Sequence, residues 1–209
     1  MFNEKARRRS YRLGKRAETA EATRNRIVKA TLSLHDEQGI TGTSVRDIAG
    51  RASVAPATVL HHFPRMDELI GACGELSDQL APMPSEAVLV GAGDRAERIR
   101  AMARAMFEWW ELLGPGWDHL EIDRRRMPQV DAWLTDVALH HRQLAAAALG
   151  PDPNPATVAL LAAITTTDAW RSLRDAGMDA TRAAGQVARF IEGRSDVPPS
   201  TTDSRERVH

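Results

Sequence analysis

The sequence predicts an all-α protein, with an N-terminal three-helix domain of the helix-turn-helix type followed by a larger C-terminal helical bundle. Apolar residues recur at i, i+3, i+4 and i+7 along most of the 209 residues. Caps and helix-ending Gly or Pro residues separate these segments, and the alternating pattern of strands is nearly absent. About nine helices are expected in total.

Three short helices are predicted in the N-terminal part. The first covers about 21–38, where the apolar residues keep helical spacing. The second begins at a capping box formed by Ser44 and Asp47. The third covers 56–62, begins with a first-turn proline and is ended by Pro64.

The rest of the chain is predicted to be helical as well. Residues 81–93 are rich in proline and glycine and form the predicted boundary between the two parts. The charged run over 122–128 is interpreted as solvent-exposed. The further helices are predicted over 67–80, 94–113, 117–126, 128–149, 155–176 and 179–193.

The predicted domain organisation has four parts. Residues 1–18 form a basic flexible arm, and 19–66 form an N-terminal helical domain, whose helix-turn-helix covers about 44–63. Residues 67–194 form the C-terminal domain. Residues 195–209 lack large apolar side chains apart from valine and are expected to be a disordered tail.

Charge is distributed unevenly although the net charge is zero. Residues 1–65 hold 13 Lys and Arg against 6 Asp and Glu, whereas 66–209 hold 15 against 22. Such asymmetry indicates a basic part that meets a polyanion. Seven of the first sixteen residues are basic, which fits either a solvated tail or an arm that contacts phosphates.

Composition and motifs argue against membrane, secreted and enzyme classes. No apolar run approaches 18 residues, no secretory signal pattern is present, and the single cysteine, Cys73, suits a reducing cytoplasm. The adjacent histidines at 61–62 and at 140–141 do not have metal-ligand spacing, because neighbouring side chains on a helix point in different directions. We therefore expect a cytoplasmic protein without enzymatic activity, metal or cofactor.

The outward face of the third helix is the candidate DNA-binding surface. It carries no carboxylate, and its first residues are small enough to approach a major groove closely. Its hydroxyl and imidazole groups can donate hydrogen bonds to phosphates or base edges. The alternative is an ordinary helical hairpin with a solvated polar face. The candidate residues are Ser44, Arg46, Pro56, Ala57, Thr58, Leu60, His61, His62 and Arg65.

The segment from Thr23 to Leu69 resembles the N-terminal DNA-binding domain of TetR-family transcriptional regulators. The matching features are "TRxxI" at 23–27, Gly39, "TSVRDIA" at 43–49, "SVxxxTV" at 53–59 and "HFP" at 62–64.

Three positions depart from the family pattern. Ser53 replaces the usual turn glycine, Leu60 replaces a phosphate-contacting tyrosine, and Met66 replaces a lysine. We therefore expect Arg46 and the arginine-rich arm to carry more of the phosphate binding than is usual.

The resemblance implies a dimeric repressor that binds a near-palindromic operator on double-stranded DNA and is released by a small-molecule effector. It also implies that the helices at 155–176 and 179–193 form the homodimer interface, although an alanine-rich helix also suits a monomer core. Neither the effector, the operator nor the choice between repressor and activator follows from the sequence. A helix-turn-helix module that binds a protein partner is the alternative.

Two helices of the C-terminal part carry the candidate effector-binding residues. Met and Trp side chains form adaptable apolar walls and a histidine can orient a polar group. The same stripe at helical spacing also suits a hydrophobic core. The candidates are Met102, Met106, Trp109, Trp110, Trp133, Val137 and His141.

Overall fold

The computed structural model describes the backbone of residues 3–114 and 116–194, and the side chains of residues 14–114 and 116–193. This part of the chain contains ten α-helices, one short 3-10 helix and no strand, which confirms the all-α prediction. The predicted tail at 195–209 lies outside the described residues. The α-helices are α1 Asn3–Gln38, α2 Val45–Ala52, α3 Pro56–His62, α4 Met66–Leu80, α5 Arg95–Leu113, α6 Gly116–Asp123, α7 Pro128–Leu149, α8 Pro155–Ala163, α9 Thr167–Asp175 and α10 Ala180–Arg194.

Helix α1 is longer than predicted. It begins at Asn3 and not near residue 21, so the backbone of the predicted flexible arm over 1–18 is helical wherever the structure describes it. Between 15 and 26 the sequence consists mainly of Ala, Glu, Lys and Arg, which are strong helix formers. Gly14 costs about 1 kcal/mol within a helix, which so long a run of helix formers tolerates.

The predicted helix over 155–176 is two helices. Helix α8 ends at Ala163 and α9 begins at Thr167. At the break, the Thr165 hydroxyl donates to the Leu161 carbonyl over 2.7 Å, and the Thr166 side chain caps α9 by accepting from the Ala169 N–H. Threonine side chains that bond to nearby backbone groups compete with the helix, which explains the break. The remaining helix bounds differ from the predictions by three residues or fewer.

The described chain divides into two compact units, which do not follow the chain as two continuous blocks. The first unit comprises residues up to 83 together with 112–135, and the second comprises 84–111 and the residues from 136 onward. The first unit therefore contains α4, α6 and the beginning of α7 in addition to the three helices of the predicted DNA-binding domain.

The first unit has a continuous hydrophobic core beneath α2 and α3. The inward-pointing side chains of these helices are buried, with Ile48 and Val59 fully inaccessible and Phe63 only 1% exposed. Helix α1 contributes Ile27 and Leu34 to the same core. Burying a side chain of this size stabilises the fold by about 1.5–3 kcal/mol, so the short helices depend on packing and not on their own propensity.

The second unit encloses a buried polar contact between α5, α7 and the break that separates α8 from α9. The Trp110 indole N–H donates to the Thr165 carbonyl over 2.9 Å, and His141 Nε2 lies 2.9 Å from Thr165 Oγ1. Burial lowers the pKa of His141 to about 4, so the imidazole is neutral near pH 7. These hydrogen bonds satisfy the polar groups that surround the break between α8 and α9.

No helix among the described residues combines the length and the apolar character that a membrane crossing requires.

Candidate nucleic-acid interface

Helix α2 begins at the predicted capping box. Ser44 Oγ accepts a hydrogen bond from the Asp47 N–H at 3.2 Å, and the Asp47 carboxylate accepts one from the Ser44 N–H at 3.1 Å. Hydrogen bonds that the Ser44 hydroxyl and the Ser44 N–H donate to the carboxylate lower the pKa of Asp47. The capping box thus gives hydrogen-bond partners to two backbone N–H groups at the start of the helix. Arg46, in this first turn, is exposed.

The turn after α2 contains a left-handed residue at the position where the family pattern has a glycine. Ser53 has φ 54° and ψ 51°, and the Val54 N–H bonds to the Ala49 carbonyl at 3.0 Å. This hydrogen bond across the turn satisfies a helix-terminal carbonyl and sets the direction of the chain as it enters α3. A non-glycine residue costs about 1–2 kcal/mol in this conformation.

Helix α3 holds the candidate recognition surface outward. Val59 and Phe63 anchor its inner face in the core, and Arg24 of α1 stacks over the Phe63 ring, 4.7 Å from the centroid. On the outer face Thr58 and His62 are half-buried. The exposed residues of α3 are Pro56, Ala57, Leu60 and His61.

Two arginines near this surface are engaged in ion pairs. Arg65, a predicted phosphate contact, lies 2.8 Å from the Asp67 carboxylate. Arg51 forms a bidentate pair with Glu37 at 2.7 and 2.8 Å, which links α2 to α1. Hydrogen bonds from Arg51 and Ser33 lower the pKa of Glu37 to about 2. Arg46, by contrast, forms no ion pair with any residue that the structure describes.

A groove beside α3 was missed by the sequence analysis. Thr58 and His62 form one wall, and the opposite wall is the N-terminal half of α1, where Lys15 and Arg16 supply two cations. The groove has a volume of about 500 Å³ and no carboxylate among its lining residues. The basic composition of 1–16 was the signal for it, but the groove exists only because α1 continues past Thr19 toward Asn3.

Asp123 fastens the loop between α1 and α2. Its carboxylate accepts hydrogen bonds from the Ile40 N–H at 2.6 Å, the Thr41 N–H at 3.3 Å and the Thr41 hydroxyl at 2.5 Å. It is only 1% exposed, so the interpretation of 122–128 as a solvated charge run is wrong for this residue. Gly39 has φ +80°, and a side chain there would approach the Asp123 carboxylate to 3.1 Å.

A second cavity lies in the first unit, between α1, α4, α6 and the beginning of α7. It has a volume of about 620 Å³, and Trp133 is the one predicted effector-binding residue among those that line it. The other six predicted residues are packed core side chains of which none is more than 7% exposed, because the helical stripe that suggested a pocket faces the interior. They are Met102, Met106, Trp109, Trp110, Val137 and His141.

Comparisons with known proteins agree with this architecture. The family model described as bacterial regulatory proteins, tetR family, matches residues 27–73, which include α2, α3 and half of α4. The HTH-type transcriptional regulator BetI of Paraburkholderia phymatum is 32% identical over 97 residues, which is 46% of this chain and 49% of that protein. The chain thus spans about half the length of the curated relatives it matches.

Two solved structures share the fold. A transcriptional regulator from Rhodococcus sp. Rha1 superimposes with a TM-score of 0.60 at 21% identity, over 82% of this chain and 94% of that one. The multidrug binding protein EbrR, complexed with imidazole, gives a TM-score of 0.54 at 22% identity, over 85% of this chain and 97% of that one. The helix-turn-helix with its outward-facing α3 therefore lies within a segment, residues 27–73, that matches the tetR family of bacterial regulatory proteins, and the solved structures share the fold of the chain.

Proposed function

We propose that this protein is a sequence-specific DNA-binding transcriptional regulator that inserts α3 into the major groove. The observation that carries the proposal is the outward face of α3, which has no carboxylate and is bordered by the groove containing Lys15 and Arg16. A surface free of carboxylates avoids repulsion by phosphates, and two adjacent cations attract them.

Individual residues suit different parts of a duplex. The small side chains of Pro56 and Ala57 allow the start of α3 to approach the base edges closely. Thr58 and His61 can hydrogen-bond to bases, while Arg46 extends toward the phosphate backbone. Leu60, which is 48% exposed, can contact a thymine methyl group but cannot donate to a phosphate.

We further infer that the protein acts as a dimeric repressor that an effector releases from its operator. Helix α8 presents the exposed small residues Ala156, Ala159 and Ala163, which permit close packing of a second copy, and α10 lies in the same unit. A twofold dimer would place two α3 helices about 34–36 Å apart on a near-palindromic site. EbrR, with the same fold, is a multidrug binding protein solved with imidazole, which supports a small-molecule effector.

Selection of bound sequences from random duplex DNA tests the proposal. We expect one enriched near-palindromic site and a steep decrease of affinity with salt, since phosphate neutralisation releases counterions. A shallow salt slope with no enriched site would instead favour the protein-binding alternative. Sedimentation of the free protein tests the dimer.

Substitutions on α3 test the site assignment. Thr58→Ala and His61→Ala should each weaken operator binding by about 1–3 kcal/mol and relax the base preference at the contacted position. The control Thr135→Ala, at an exposed position of α7, should leave binding unchanged. Wild-type affinity and selectivity in both α3 variants would contradict the assignment, provided that thermal unfolding shows them folded.

A further inference from the structure

The cavity between α1, α4, α6 and α7 has the size of a small-molecule site. Its volume of about 620 Å³ falls within the range of about 300–1,000 Å³ that is typical of drug-sized ligands. Apolar side chains from all four helices line it, among them Leu32, Ile70, Leu120 and Val130. Every lining residue belongs to the unit that also contains α2 and α3.

The charges at this cavity are of one sign. Asp36, Glu75 and Asp78 line it, as does Asp67, whose charge Arg65 partly balances. Among the described lining residues there is no lysine or arginine. Partial burial raises the pKa of Asp36, with a further contribution from Glu37, while His119 opposes the rise. Asp36, Glu75 and Asp78 form no ion pair with any residue that the structure describes, so the cavity favours a positively charged occupant.

Two tryptophans provide aromatic surface in the same wall. The ring centroids of Trp117 and Trp133 lie 6.1 Å apart, and the rings are inclined at 55°. The face of an indole attracts a cation within about 6 Å of its centroid, most strongly where water is excluded. An organic cation would thus gain from both the rings and the carboxylates.

His35 supplies a hydrogen-bond acceptor. It lines the cavity and is only 8% exposed, and its ring makes no hydrogen bond with any residue that the structure describes. Burial lowers its pKa to about 4, although the nearby Asp123 carboxylate acts in the opposite direction. The ring is therefore neutral near pH 7, and one nitrogen carries a lone pair that can accept from an N–H group. An N–H group of a ligand in the cavity could donate to this nitrogen.

We propose that this cavity binds an organic cation with an N–H group, a protonated amine on an apolar or aromatic body. The cationic nitrogen donates to His35 and lies among the carboxylates, while the body packs against Trp117 and Trp133. The proposal deepens the proposed function by naming the effector class, and it rests on that function only for the consequence of binding on DNA affinity.

The test uses three ligands with one carbon skeleton on the full chain. We expect calorimetry to show that 4,4-diphenylbutylamine binds about tenfold or more tightly than the neutral 4,4-diphenylbutanol, and that 4,4-diphenylbutyrate does not bind. Equal binding of amine and alcohol would overturn the proposal. No DNA is present in this assay, so it can succeed or fail independently of DNA recognition.

A cavity-filling substitution tests the location. Gly74 lines the cavity from α4, and a Cβ added there would meet no atom within 4 Å. Gly74→Leu should fill the space and abolish amine binding, while the gain in helix propensity preserves the fold. Gly193→Leu, in α10, is the matched control and should bind the amine normally. Unchanged binding by folded Gly74→Leu would contradict the assignment.

Two further variants separate charge from hydrogen bonding. Combined Glu75→Gln and Asp78→Asn should reduce the preference for amine over alcohol at least fivefold, whereas exposed Asp136→Asn should not. His35→Phe should weaken binding of the amine about tenfold but leave its trimethylammonium analogue, which has no N–H, nearly unaffected. Equal losses for both ligands would contradict the hydrogen-bonding role of His35.

Discussion

Asp123 is the single residue on which the geometry of the α1–α2 loop most depends. Its carboxylate reaches 83 residues back along the chain to Ile40 and satisfies two backbone N–H groups and one hydroxyl. These donors are partly buried, so water cannot fully replace the acceptor. The end of α6 is thereby joined directly to the segment that positions the capping box at Ser44.

Asp123→Ala should lower the free energy of unfolding by about 2–4 kcal/mol, because three donors lose their acceptor in a buried site. Urea denaturation measures this change. Asp131→Ala is the control, since its exposed ion pair with Arg124 at 2.7 Å should contribute less than about 1 kcal/mol. Similar losses of stability in the two variants would show that burial of Asp123 does not increase its contribution to the free energy of unfolding.

His35 and His141 make stability depend on pH. Burial lowers both pKa values from 6.5 to about 4, so the folded protein holds these rings neutral while the unfolded chain binds protons. The free energy of unfolding should therefore fall as pH decreases from about 6.5 to about 4, by up to roughly 3 kcal/mol per histidine. Above about pH 6.5 the two histidines should add no further pH dependence.

Urea denaturation at pH 7 and pH 4.5 measures the effect. His141→Gln retains a hydrogen-bonding group for Thr165 but cannot be protonated, so its stability should decrease less on acidification than that of the wild type. His61→Gln, at an exposed position, controls for the loss of a histidine. An equal decrease in His141→Gln and wild type would contradict the role of His141.

At the scale of elements, helix ends decide how the recognition surface is presented. The capping box starts α2, the left-handed Ser53 ends it, and first-turn Pro56 starts α3 within a few residues. Helices α2 and α3 are too short to be stable alone, so these ends and the core beneath Val59 together determine their orientation.

Ser53→Gly should stabilise the protein by about 0.5–1 kcal/mol, because glycine removes the left-handed strain but adds flexibility to the unfolded chain. Thermal or urea unfolding would detect this gain. Ser172→Gly, within the right-handed helix α9, should instead destabilise by a similar amount. A loss of stability in Ser53→Gly would show that the serine side chain contributes more than its backbone strain costs.

At the scale of the whole molecule, basic and acidic residues are concentrated in different parts of the chain. The basic residues accumulate before residue 66, where α1 carries Lys15 and Arg16 alongside α3. The remaining chain is acidic, and acidic residues also line the cavity in the first unit. Long-range attraction to DNA should therefore depend on the N-terminal cations and on salt.

Combined Lys15→Ala and Arg16→Ala should reduce the slope of log affinity against log salt by about 2, if each cation neutralises one phosphate. Titrations with operator DNA at several salt concentrations measure the slope. Arg125→Ala with Arg142→Ala removes the same charge from exposed positions without an ion pair to a described residue, and should leave the slope unchanged. Equal slopes in both double variants would exclude a phosphate role for α1.

Local patterns were sufficient for most of the helices and for the recognition surface. The capping box, the terminating glycines and prolines, and the 3.6-residue spacing act over a few residues, so the sequence alone located α2, α3 and α7 correctly. The burial of Ile48, Val59 and Phe63 agrees with the same helical spacing, and the left-handed Ser53 stands where the family pattern has a glycine.

Tertiary structure decided the features that depend on partners distant in sequence. The burial of Asp123 requires a loop 83 residues away, and the cavity requires four helices whose lining residues range from Leu32 to Trp133. The Met and Trp stripe of α5 could line a pocket or a core with equal spacing, and only the packing of neighbouring helices made it core. Helical periodicity identifies which face of a helix is covered, whereas the three-dimensional arrangement determines what covers it.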